Sequence, residues 1–154
     1  MNGKSLITTL FQSQAQWGST VLRIPLGIIF IAHGGQKLFG LFGGYGLEGT
    51  GQWMDSIGLS PGYLMALLAG GAEFFGGVAL LLGFLTRIAA LLLASTMLVA
   101  IFAVHIGNGL FMSDSGYEFG LSLLAGSLAL LILGGGKLSM DQWITQRLQL
   151  SSNN

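Results

Sequence analysis

Charge is what this chain has least of. Lys and Arg number 6, Asp and Glu 6 and His 2 in 154 residues, so charged groups make up 8% of the sequence. Soluble domains carry roughly 25%. So few charges do not clothe the surface of a water-soluble domain of this size, which excludes an ordinary soluble enzyme. They equally exclude a nucleic-acid binder that works through a basic patch. Cysteine is absent, which removes disulfide frameworks, thiolate metal sites and thiol redox relays. What is present is apolar: 52% hydrophobic residues and 26 glycines, with a mean hydropathy of +0.73. A disordered chain has the opposite balance. The composition describes a small integral membrane protein surrounded by lipid.

A helix crossing a bilayer core about 30 Å thick needs about 20 mainly apolar residues, each rising about 1.5 Å. Four windows qualify, at about 21–41, 63–85, 88–106 and 117–135. The apolar heart of the fourth, Phe119 to Leu133, is short and needs its flanks. The expected fold is all-α, a four-helix transmembrane bundle forming a single membrane domain over 1–154. Basic residues set orientation. Lys4, Arg23, Arg87, Lys137 and Arg147 fall on one side and only Lys37 on the other, beside Glu48, Asp55, Asp114 and Glu118. Both termini are therefore expected in the cytoplasm, with the loops at 42–60 and 107–117 outside. Arg23 and Arg87 read as anchors that snorkel to the interface.

The ends of the chain have a different pattern. Leu6, Ile7, Leu10, Phe11 and Trp17 recur at near-helical spacing among polar residues, which predicts an amphipathic surface helix over about 5–17. A second is predicted over about 140–150, where Ser139 and Gln142 make a capping box and Met140, Trp143, Ile144 and Leu148 an apolar face. The glycine-rich run 40–51 reads as an outer loop folded against the mouth of the bundle. Within and after it, Thr50 is expected to cap a short helix through Trp53 and Met54 that Gly58 ends. Ser60 and Pro61 suit the cap and first position of the next helix.

The informative residues are the polar ones inside apolar windows. His33 lies ten residues beyond Arg23, so about 15 Å deeper, near the midplane. Lys37 is one turn further on the same face. Glu73 lies about ten residues into the second window and reaches a similar depth. An unpaired charge there costs about 2.5–3.5 kcal/mol even on the lenient insertion scale, so Glu73 is expected to pair with Lys37 or His33. Gly27 and Gly34 on the first helix, and Ala66, Ala69, Gly70, Ala72, Gly76 and Gly77 on the second, are small enough for close helix approach. Glu73, His33 and Lys37 are thus the candidates for ligand binding or proton handling. His105 and Glu118 are candidates for the outer mouth of the same polar funnel. The bland alternative is that the buried pair only fixes which helices pack together.

Other signals are weaker. Two histidines invite a bis-His haem, but His33 and His105 are expected roughly 10 Å apart in depth. Gly134-Gly135-Gly136-Lys137-Leu138-Ser139 lacks the spacing and the preceding strand of a phosphate loop. No metal-ligand constellation is convincing, and no catalytic residue is assigned.

Several of these segments resemble the DoxX family of small membrane proteins. They are Arg23-Ile24-Pro25-Leu26-Gly27 with His33-Gly34-Gly35-Gln36-Lys37-Leu38, Gly46-Leu47-Glu48-Gly49-Thr50 with Gly58-Leu59-Ser60-Pro61, Glu73, Gly83-Phe84-Leu85-Thr86-Arg87, and Gly136-Lys137-Leu138-Ser139-Met140-Asp141. The similarity covers roughly 18–145. It implies a four-helix protein of the bacterial cytoplasmic membrane. It also brings an oxidoreductase label, which rests on relatives and carries no defined catalytic site. Without cysteine or a flavin or nicotinamide motif, a redox role here needs quinone, haem or a partner subunit.

Two functions follow as expectations. The first is a membrane redox subunit that holds a quinone or similar small apolar ligand around Glu73, His33 and Lys37. The second is non-catalytic: a transport, ligand-binding or assembly subunit of a membrane complex, for which small-residue faces would permit a homo-oligomer.

Overall fold

The computed structural model describes residues 17–152, and among them it contains helices and no strands. The principal helices are α1 (Trp17–Phe39), α2 (Gly46–Ser56), α3 (Gly62–Leu82), α4 (Thr86–Ala100), α5 (Glu118–Leu133) and α6 (Met140–Ser152). Helix α4 runs on through a π-helical turn, Ile101–His105, and a tight turn, Ile106–Asn108. Among the described residues, three helical runs are long and apolar enough to cross a membrane: α1, α3 and the 23-residue stretch Thr86–Asn108. Helix α5 is apolar but has 16 residues, about 24 Å of rise.

Local chemistry explains where the helices stop. Gly83 adopts φ 64, and the Phe84 and Gly83 amides close onto Ala79 O (2.9 Å) and Leu80 O (3.1 Å). This Schellman closure ends α3 at Leu82, short of the expected 85. Gly58, at φ 86, ends α2 as expected, with the Leu59 and Gly58 amides on Met54 O and Asp55 O. The other end of α2 corrects the sequence reading. The helix begins at Gly46, and Thr50 is a buried residue inside it rather than its cap. The glycine-rich run is thus a short 3-10 turn (Leu41–Gly43) followed by a helix.

Pro61, and not Ser60, occupies the cap position of α3. The capping acceptor comes from α2: Asp55 Oδ1 receives the Gly62 amide at 2.8 Å and the Ser60 hydroxyl at 2.7 Å. Only half of the Ser139–Gln142 capping box forms: Ser139 Oγ receives the Gln142 amide at 3.1 Å, whereas the Gln142 Oε1 is buried without a hydrogen-bond partner among the described residues. Trp17, assigned above to a surface segment, is the first residue of α1; the rest of that segment lies outside the described residues.

Helix α1 packs against α3 and α4 against α5, while α2 packs against α3. Leu26 and Phe30 of α1 meet Leu80 of α3, Leu93 and Met97 of α4 and Leu130 of α5 in the core. The outer faces are also apolar: Leu67, Leu68 and Phe75 on α3, and Leu92, Val99 and Phe102 in the α4 run, are exposed. An apolar inside with an apolar outside is the pattern of a helix pack in lipid.

Candidate functional site

The site depends first on how closely α1 and α3 approach. A Cβ built on Gly27 would lie 2.8 Å from Gly77 O, and one on Gly77 would lie 2.8 Å from Gly27 O. One turn pair further along, a Cβ on Gly34 would lie 2.4 Å from the Phe74 amide nitrogen. Only hydrogens fit between these backbones. The crossing brings the two midspan charges together: Lys37 Nζ lies 2.6 Å from Glu73 Oε2. The Glu73 side chain is 3% exposed and that of Lys37 25%. The pairing expected from depth and face is therefore present.

Beside the pair lies a cavity of about 1020 Å³. Lys37, Glu73 and His33 line it, and most of the rest of its wall is apolar, supplied by α1 to α5. The His33 ring stands 5.9 Å from that of Phe119, tilted by 47°, and among the described residues it has no hydrogen-bond partner. His105 lines the same cavity from the π-helical turn, its Nδ1 2.7 Å from Ser115 O. Single π turns inside helices are frequent at functional sites. Glu118 is not among the lining residues; its Oε1 receives the Met112 amide at 2.6 Å and pins the loop before α5. Of the two outer-mouth candidates, the fold brings only His105 to the chamber.

The lining thus offers a few groups that accept or donate hydrogen bonds within a wall that mostly suits a hydrocarbon. Among the described residues no group of three or more His, Asp or Glu is placed to hold a metal. The ionisable side chains that line the cavity are the carboxylate, the ammonium and the two imidazoles.

The family model described as DoxX matches residues 18–106. The chain belongs to the DoxX family. It is 37% identical over 127 residues to "Putative oxidoreductase CatD" of Bacillus subtilis, covering 82% of this chain and 87% of that protein. It is 35% identical over 130 residues to "Inner membrane protein YqjF" of Escherichia coli, covering 84% and 94%. A second E. coli protein, "Inner membrane protein YphA", is 29% identical over 127 residues, covering 79% and 86%. No solved structure matches the chain. The DoxX match takes in His33, Lys37, Glu73 and His105 and ends before Glu118.

The DoxX chain also holds a second polar cluster, at the end of the helix pack where α3 turns into α4. Arg23 does not snorkel: it is 2% exposed. Its Nε bonds Gly135 O (3.0 Å), one Nη bonds Leu80 O (2.8 Å) and Leu81 O (2.5 Å), and the other Leu138 O (2.9 Å). A guanidinium has the planar fork to serve several such acceptors at once. Arg87 is half-buried and donates to Leu131 O near the end of α5.

Asp141 is likewise not a surface residue. At 2% exposure, it receives the Leu85 and Thr86 amides at 2.7 and 2.9 Å and caps α4 from α6. Leu85 sits there at φ 46, a conformation that costs a non-glycine residue roughly 1–2 kcal/mol. The one signal that could have pointed to this cluster is the pair of glycine-containing turns, Gly83-Phe84-Leu85 and Gly134-Gly135-Gly136, which the structure brings to the level of Arg23. Both leave carbonyls without helical partners.

Proposed function

We propose that this DoxX-family protein crosses the inner membrane four times as a single domain, with both termini cytoplasmic, and that its cavity binds a quinone-like ligand. The observation that carries the reading is the composition of the cavity wall: one buried ion pair and two imidazoles in a mostly apolar chamber. Ligand pockets are mostly apolar with a few polar groups that fix orientation. In this reading Lys37 donates to a carbonyl oxygen of the head group, and Glu73 and His33 accept or supply its proton. Electrons then pass between the bound ring and a partner subunit, since the chain has no thiol of its own. The "oxidoreductase" in the name of the Bacillus relative and the "inner membrane protein" of the two from E. coli support the reading.

Topology is supported by the gathering of Arg23, Arg87 and Lys137 at the α3–α4 end, with Lys37 toward the other. Because the chain has no cysteine, Ser113→Cys and Ser151→Cys test it cleanly. An impermeant maleimide is expected to label the first from outside intact cells and the second only after lysis.

The ligand reading is tested by thermal unfolding in detergent with a series of benzoquinones. Wild type gains stability with quinone, and Glu73→Gln does not. Equal responses in the two proteins would leave the ion pair as a packing lock with no ligand.

A further inference from the structure

The cavity is not walled off from the surrounding lipid. Leu68 and Phe75 of α3 and Leu92 and Val99 of α4 line it, yet they are 58%, 66%, 50% and 54% exposed on the outside of the helix pack. Residues that face both the chamber and the exterior mark a gap in the wall between these two helices.

Position along the helices defines the gap. The helices are antiparallel and joined at Gly83. Phe75 lies seven residues from the end of α3, and Leu92 six from the start of α4. Leu68 and Val99 lie fourteen and thirteen residues away. The two rims therefore match in level, and the opening is about 10 Å tall. Glu73 is nine residues from the same end of α3, within that span of levels. The window opens at the depth of the polar cluster, in the hydrocarbon and not at the aqueous surface.

The rim makes no polar demand. Ser95 and Thr96 sit on it, but each hydroxyl donates to its own helix, to Leu91 O and Leu92 O at 2.9 Å. An apolar chain meets such a rim without leaving any group unsatisfied.

We infer that the ligand is a membrane-resident amphiphile that enters sideways through the α3–α4 window, its head at Lys37, Glu73 and His33 and its tail lying across Ser95 and Thr96 into the bilayer. This rests on the head-group reading proposed above and adds the tail and the route. The occupant is a tailed molecule and not a second copy of the chain, because the feature to be explained is a continuous path from the exterior to the ion pair. A flat protein face would cover the rim but fill none of that path.

The test compares two probes: a dimethoxy-methyl benzoquinone with no tail, and the same head group with a decyl chain. Binding of each is titrated against detergent-solubilised wild type, Glu73→Gln and Ser95→Trp, whose indole fills the window from its exposed side. The readout is the ratio of the two affinities in each protein. In wild type the tail is expected to tighten binding by about tenfold, and in Ser95→Trp by about threefold or less. Tail-less binding that is lost in Glu73→Gln, with a tail ratio the same in wild type and Ser95→Trp, overturns the window and leaves the head site standing. Neither probe binding wild type overturns the head site itself. A wild-type dimer that Ser95→Trp dissociates also overturns the inference, since a second copy then covers the window.

Discussion

Gly34 and Phe74 are in backbone contact: a Cβ on Gly34 would lie 2.4 Å from the Phe74 amide nitrogen. Phe74 is the neighbour of Glu73, and Gly34 lies one turn before Lys37. The approach of these two residues is what makes a 2.6 Å ion pair reachable between helices. Gly34→Ala forces α1 and α3 apart, because the obstacle is backbone and not the end of a flexible side chain. Overpacking of this kind costs typically about 1–3 kcal/mol, and the ion pair lengthens as well. Thermal unfolding in detergent is expected to fall for Gly34→Ala. Gly18→Ala, where a Cβ meets nothing within 4 Å, is expected to be neutral or slightly stabilising.

The ion pair itself is expected to respond asymmetrically. Lys37→Met leaves the Glu73 carboxylate almost fully buried without a partner, and breaking buried pairs costs about 3–5 kcal/mol. Glu73→Gln leaves an ammonium that is one quarter exposed and costs less. The double variant, with no charge left to strand, is expected to be more stable than Lys37→Met alone. A double-mutant cycle by thermal denaturation measures this; strictly additive losses contradict it.

This pair was the most legible part of the site. Two spacing rules suffice: one turn separates His33 from Lys37, and about 1.5 Å of rise per residue puts Glu73 at the same level. The glycines that allow the crossing were legible for the same reason, since small residues on one face have few other uses in a membrane helix. Arg23 and Asp141 were not legible. Their partners are carbonyls and amides at the ends of other helices, and nothing in the local sequence distinguishes a cation that reaches outward from one that reaches inward. The sequence pointed to a pocket around these residues but not to its size or its apolar walls, because a void is set by what neighbouring helices fail to fill. The π-helical turn that delivers His105 has no proline or glycine within Ile101–His105 to announce it.

Arg23 carries the clearest stability prediction at the other end of the molecule. Its bonds tie α1 to the end of α3 and to the segment before α6, and Thr20 adds a hydroxyl bond to Lys137 O. Arg23→Lys keeps the charge but loses the planar fork. It leaves buried carbonyls unsatisfied at about 1–3 kcal/mol each. Hydrogen exchange is expected to rise first at Gly83, Leu85 and the residues around Lys137. Arg147→Lys, which disturbs only a stacking contact with Trp143, is expected to leave exchange unchanged.

Asp55 gives the molecule a pH-dependent contact outside the spans. The Ser60 hydroxyl and the Gly62 amide hold its carboxyl below the ordinary aspartate range. A depressed folded value means that the contribution is present above the unfolded value, about 3.9. It is lost as the pH falls through the folded value. Between neutral pH and strong acid, wild type is therefore expected to lose stability that Asp55→Asn lacks from the outset. The two unfolding curves converge at the acid end; parallel curves contradict this.

The central claim is that the chamber beside Lys37 and Glu73 holds the head of a small membrane amphiphile. Native mass spectrometry of protein released directly from membranes tests it most directly. Wild type is expected to carry a bound small molecule with a long apolar chain, and the folded Lys37→Met, Glu73→Gln double variant is expected to carry none. Wild type at its bare chain mass, or the same adduct at equal occupancy on both proteins, contradicts the account.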